Sequence, residues 1–239
     1  MKKKLFSMAM TLVMCLSLLP AGAAAAPVRS AGPEPAGVSV RGAVRFEDVK
    51  ESDWFYEGVE YTVNKGLFKG ISDTKFGPTV KMTRGMVVQI LYAMAGKPAV
   101  SGHHRFPDVK DSDWFSGAVA WAVEKGVASG YDDGRFGPND TITREQLAVM
   151  LHGYMRKPVV NTPLHFADAG EVSDWAEAAM RWAVANHLMS GTDQGLLLPG
   201  HTATRAEGAV IMMNFDRLNP GSVPPSPGGD IELPIIPAD

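Results

Sequence analysis

Phe106-Pro-Asp-Val109, Asp113-Trp114, Gly130-Tyr-Asp-Asp-Gly134, Phe136-Gly137-Pro138 and Thr143-Arg144 mark out the stretch whose reading decides the fold. The same order of residues recurs on both sides of it. Phe46-Glu-Asp-Val49 and Phe166-Ala-Asp-Ala169 stand 60 residues before and after its opening. Asp53-Trp54 and Asp174-Trp175 follow them, and then Thr83-Arg84 and Thr204-Arg205. Phe76-Gly77-Pro78 completes the first copy, whereas the third has Leu197-Leu198-Pro199 in its place. Self-similarity at this period marks a supersecondary unit that buries its apolar face against its neighbours. A polar feature repeated in register then belongs to a repeated site.

Each copy reads as helix, loop, helix. Asp53, Asp113 and Asp174 are placed to cap a first helix. Its apolar positions recur at helical spacing as Val59/Val63, Val119/Val123 and Met180/Val184. Gly66, Gly126 and Asn186 suit its left-handed C-terminal position. A loop containing Gly and Asp follows, and a second helix starts at Thr83, Thr143 or Thr204. The fold class is all-α, with very short extended pieces allowed in the loops. One copy has too few apolar residues to close a core alone. Residues 44–95, 104–155 and 164–218 are therefore expected to form one pseudo-threefold unit, with an open array as the alternative.

The ends have a different composition. Lys2, Lys3 and Lys4, an apolar run from Leu5 to Leu19 and small residues up to Ala26 read as a secretory signal peptide over 1–26. A Pro/Gly/Ala-rich leader follows over 27–43, and a Pro-rich tail covers 219–239. The single cysteine, Cys15, falls within the signal, so disulfide and thiol chemistry are not expected of the mature chain. Loss of three lysines makes the formal charge of −3 more negative still. With no basic stripe, nucleic acid is excluded as the expected partner. An anionic ligand would have to be captured locally.

Thr-Arg at each second-helix start is the most informative pair. Thr204-Arg-Ala-Glu207 fits a capping box, in which Thr accepts from a helix amide and Glu reaches back. Arginine at the first helical position opposes the helix dipole, at a cost of up to about 1 kcal/mol. A ligand anion would reverse that sign, since helix amides and a guanidinium fork could converge on it. The other reading is that each arginine buttresses a neighbouring copy through a salt bridge. Trp54, Trp114 and Trp175 either knot the core or offer a face to a sugar ring. Trp121 and Trp182 sit mid-helix and read as core, and Asp48 and Asp108 as caps of local turns.

Nothing nominates an enzyme. The Asp132-Asp133-Gly134 loop lacks the alternating ligands and closing Glu of an EF-hand, which argues against a metal. No His-Glu-x-x-His array, Gly-x-Ser-x-Gly elbow or phosphate loop is present, and no carboxylate pair stands out. No cofactor is implied.

Together the F-x-D-V opening, Asp-Trp, the Gly-x-x-Asp loop, Phe-Gly-Pro and Thr-Arg-Ala-Glu resemble the S-layer homology family, as three tandem motifs over about 44–218. The resemblance implies a three-pronged unit with a central helical bundle. It also implies a secreted, cell-surface protein that binds secondary cell-wall polysaccharide, often through an acidic pyruvate-ketal sugar, in grooves between motifs. By position, it nominates Arg84, Arg144 and Arg205 for the ketal. Trp54, Trp114 and Trp175, with Gly70, Gly130 and Gly191, would shape the sugar contact. The alternative function is a structural envelope protein acting by self-association or partner recruitment. Repeat 1 has Gly85-Met86 where Ala-Glu is usual and repeat 2 has Glu145-Gln146, while repeat 3 loses Phe-Gly-Pro. Unequal grooves are therefore expected, with copy 3 the weakest.

Overall fold

The second helix of each repeat begins where a threonine closes a capping box. Thr83, Thr143 and Thr204 accept through Oγ1 from the amides of Met86, Gln146 and Glu207. In return, Thr143 N donates to Gln146 Oε1 at 3.2 Å and Thr204 N to Glu207 Oε2 at 2.7 Å. Repeat 1 lacks the acid, and Met86 Sδ accepts from Thr83 N at 3.4 Å instead. Such caps contribute about 1 kcal/mol each. In this computed structural model, which describes residues 46–102 and 105–218, six α-helices result. They are α1 (Tyr56–Asn64), α2 (Arg84–Met94), α3 (Ser116–Glu124), α4 (Arg144–Tyr154), α5 (Glu177–Ala185) and α6 (Arg205–Leu218), with a 3-10 turn at Ala169–Glu171. The expected signal peptide, leader and tail lie outside the described residues.

The fold is all-α, and its short extended pieces join the repeats. Met82 N donates to Ala203 O, Ile142 N to Met82 O and Ala203 N to Ile142 O, each at 2.9 Å. This ring of three bonds takes one residue from each repeat, and all three residues are fully buried. Around it, the first helix of each repeat packs on the second helix of another: α1 on α6, α3 on α2, α5 on α4. The contact order is thus cyclic, from repeat 1 to 2 to 3 and back to 1. Gly208 permits the approach, since a Cβ there would lie 2.1 Å from Met82 Sδ. Trp121 and Trp182 are buried in the core, as their mid-helix positions predict.

Two local expectations are corrected. The first helices start later than the aspartates, with Phe55, Phe115 and Ala176 as N-caps that make no side-chain cap bond. Asp53 and Asp113 instead accept from the amides of Lys50 and Lys110, closing the turn that precedes the helix. At the other end Gly66 and Gly126 are left-handed, at φ 70° and 67°. In repeat 3 the left-handed residue is His187, at φ 57°, one position beyond Asn186.

Candidate ligand grooves

The opening motif, the glycine loop and Phe-Gly-Pro interlock within each repeat. Asp48 accepts from the amides of Phe76 and Gly77, both at 2.8 Å. Asp108 accepts from Phe136 and Gly137, and Asp168 from Leu197 and Leu198. These aspartates therefore pin a loop 28 to 30 residues away rather than capping a local turn. Burial raises the Asp108 pKa, but the Phe136 and Gly137 amides outweigh it and hold the carboxyl below its usual range. The Leu197 amide does the same for Asp168. The opening phenylalanine lies against the glycine loop. A Cβ on Gly70, Gly130 or Gly191 would stand 2.6, 2.4 or 2.5 Å from Cε1 of Phe46, Phe106 or Phe166. Packing alone thus requires those glycines.

The arginines cross to the next repeat. Arg84 Nε donates to Phe136 O and Nη2 to Ser129 O. Arg144 reaches Leu197 O and Ser190 O, and Arg205 reaches Phe76 O and Lys69 O. The amides expected to meet an anion are already engaged. Arg84 N and Gly85 N donate to Asp140 O and Pro138 O, and Arg144 N and Glu145 N to His201 O and Pro199 O. Arg205 N and Ala206 N donate to Val80 O and Pro78 O. Most of each guanidinium is therefore engaged with a neighbouring repeat, chiefly through neutral carbonyls, and Arg144 also has the Glu207 carboxylate of repeat 3 at 3.7 Å from Nη1. Burial lowers all three arginine pKa values, that of Arg205 to about 10.

What remains of the site lies in grooves that draw on three repeats. The groove over the repeat 2 loop, about 260 Å³, is lined by Gly130, Tyr131 and Gln146, by Arg84 of repeat 1 and by Trp175 of repeat 3. The groove over the repeat 3 loop, about 590 Å³, is lined by Gly191, Thr192 and Glu207, by Arg144 of repeat 2 and by Trp54 of repeat 1. Trp54 is 67% exposed and Trp175 59%. Trp114 is half-buried and packs on the core with an edge contact to Phe115. Arg205 reaches the repeat 1 loop through Lys69 O, the carbonyl just before Gly70. Among the described residues no group of three or more His, Cys, Asp or Glu could hold a metal ion, and no helix is long and apolar enough to cross a membrane.

The profile of the S-layer homology domain matches residues 45–85, 105–148 and 165–209, more than half of the chain. The chain belongs to the S-layer homology family. It is 31% identical over 73% of its length to a surface-layer 125 kDa protein of Lysinibacillus sphaericus, of which it covers 15%. It is also 27% identical, over 64% of its length, to a cellulosome-anchoring protein of Acetivibrio thermocellus, covering 35% of that protein. An exoglucanase of the same species, XynX, is 28% identical over 75% of this chain and is covered over 17%. The S-layer homology chain thus spans about a third or less of these relatives. Family membership and the S-layer relatives point to a secreted protein at the cell surface.

The sequence nominated all three arginines, and it missed what holds them. Glu145 was also missed: it is buried and accepts from Ser173 N and Oγ, tying α4 to the start of α5. No local pattern signals a partner 28 residues on.

Proposed function

We propose that this chain is a non-catalytic anchoring module that holds secondary cell-wall polysaccharide through an acidic, ketal-bearing sugar in the grooves over repeats 2 and 3. One observation carries the reading. In the groove over repeat 3, the exposed ring of Trp54 and the guanidinium of Arg144 line one cavity, although they come from different repeats. An exposed tryptophan costs solubility and suits the apolar face of a sugar. Arg144 donates to neutral carbonyls, and the carboxylate of Glu207 is 3.7 Å from its Nη1. Arg84 also donates to neutral carbonyls. A desolvated cation without a bidentate counter-charge favours an anion brought by the ligand. The relatives named for the surface layer and for cellulosome anchoring support the same role.

Co-sedimentation with purified walls tests it. Binding is expected to walls that keep their polysaccharide, and to fall when mild acid strips the ketals. Undiminished binding to walls lacking the polymer refutes the anchoring role, and undiminished binding after ketal removal alone refutes the acidic sugar.

A further inference from the structure

The three helix pairs share one arrangement but finish differently at their C-terminal ends. Between α1 and α6, buried Asp216 accepts from Tyr61 Oη at 2.6 Å and from Lys65 Nζ. The corresponding positions between α4 and α5 are Trp182, Asn186 and Met155, and Asn186 Nδ2 donates to Trp182 O at 2.8 Å. Between α2 and α3 they are Trp121, Lys125 and Ala95. A methyl group stands where the carboxylate would be.

The space left is not filled by other side chains. A hollow of about 610 Å³ opens there, lined by Ala95, Trp121, Lys125, Tyr154, Arg156 and Lys157. Lys125, the counterpart of Lys65, turns to Glu124 Oε1 of its own helix at 2.8 Å. That is a solvent-facing pair of adjacent residues, of a kind that holds weakly. Glu124 also lines the hollow and is the acid facing the three cations. The C-terminal ends of helices attract cations by themselves, which accounts for a single lysine. It does not account for Arg156, which is left-handed at φ 59° where repeat 1 has Gly96 at φ 80°. Lys157 follows at φ 55°, as Lys97 follows Gly96 at φ 49°, so the two repeats differ in the side chain at 156. A left-handed arginine where a glycine would be unstrained is a reason to look for a role of its side chain.

We infer that this hollow between α2, α3 and α4 binds a carboxylate-bearing ligand, its carboxylate taking the position that Asp216 occupies between α1 and α6. Lys125 swings from Glu124 to meet it, as Lys65 meets Asp216. Arg156 and Lys157 supply further positive charge at the rim. The site is distinct from the wall grooves, with which it shares no lining residue.

A chemical-shift titration of the purified protein with sodium D-glucuronate tests the assignment, with D-glucose and sodium chloride as controls. Glucuronate is expected to move the Trp121 indole and the Gly126 and Arg156 amides saturably, and the controls are not. Ala95→Asp supplies the missing carboxylate from within the chain. It is expected to raise the thermal midpoint and to weaken glucuronate binding at least tenfold. Arg156→Gly is expected to keep the fold and weaken binding severalfold, and it decides the matter if Ala95→Asp does not fold. Trp54→Ala leaves this titration unchanged while lowering wall binding, which separates the two sites. Shifts reproduced by glucose or by salt overturn the assignment, as do variants that titrate like the parent.

Discussion

In the groove over repeat 2, the Tyr131 ring lies 4.6 Å from the Arg84 guanidinium, and the Phe136 ring lies 4.9 Å from it. In the groove over repeat 3, the residue at the Tyr131 position is Thr192, and the cavity is more than twice as large. Arg84 is buried, whereas Arg144 is only partly buried. The same plan thus yields a covered cation in one groove and a reachable one in the other. Repeat 3, whose lost Phe-Gly-Pro motif predicts the weakest groove, carries the more open one. Its substitutions compensate one another. A Cβ on Gly137 would meet Tyr131 Cε2 at 2.4 Å and Asp140 Oδ2 at 2.5 Å. With Thr192 and His201 at those two positions, Leu198 is accommodated at φ 54° in place of the glycine.

The largest effect should come from removing the covered cation. Arg84→Ala leaves two carbonyls without their donor and deletes a guanidinium packed between rings, at an expected cost of about 3–5 kcal/mol. Arg144→Ala, at the more open site, should cost about 1–3 kcal/mol. Urea denaturation of the two variants measures the difference. Equal losses would dissolve the distinction between covered and open.

The exposed tryptophans separate binding from stability. Trp54→Ala should weaken wall binding about tenfold and Trp175→Ala less, both with unchanged thermal midpoints, because a ring contact of this kind is worth about 0.5–1.5 kcal/mol. Trp114→Ala should instead lower the midpoint, since that ring packs on the core. Wall co-sedimentation read beside calorimetry checks all three. A larger loss from Trp175→Ala than from Trp54→Ala reverses the ranking of the grooves.

The pinned loops make both grooves sensitive to acid. The folded-state pKa values of Asp108 and Asp168 are depressed, by the Phe136 and Gly137 amides against desolvation in one case and chiefly by the Leu197 amide in the other. Their contribution is therefore complete above the ordinary carboxylate pKa of about 4 and is lost as pH falls through the lower folded values. The thermal midpoint should hold from neutrality to about pH 4 and then drop. Asp108→Asn and Asp168→Asn should flatten that drop. An acid limb identical in parent and variants would place the proton uptake elsewhere.

The repeat, the helix class and the threonine caps were legible in the sequence because each is a local pattern with a local cause. The arginines were legible as anomalies with two readings, anion site or buttress of a neighbouring copy, and the sequence could not name the carbonyls that accept from them. Opposing its own helix dipole is a property of Arg205 and its neighbours in sequence, but the carbonyl that accepts from its Nε lies 129 residues away. The glycine loop taught the same lesson: Gly130 lines the groove, and the Phe106 ring packed against it is a second reason for a glycine that its neighbours in sequence do not reveal. Motif elements separated by a loop were in fact parts of one contact.

The pairing of Thr192 with Leu198 gives the finest test of the groove comparison. Thr192→Tyr alone should be destabilising by about 1–3 kcal/mol, because a Cβ at the Leu198 position leaves no room for the ring. Leu198→Gly alone relieves a left-handed residue but empties the space its side chain occupied, so the two terms should nearly cancel. The double variant rebuilds the arrangement of repeat 2, with a ring free to cover Arg144. Its stability should exceed the sum of the single effects by about 1 kcal/mol, within the range of coupling between residues in contact. Wall binding should fall to the level of Trp54→Ala if covering the cation is what closes a groove. Additive stabilities with binding unchanged would mean that Thr192 is a bystander, and that the width of the groove is set by Trp54 and α6.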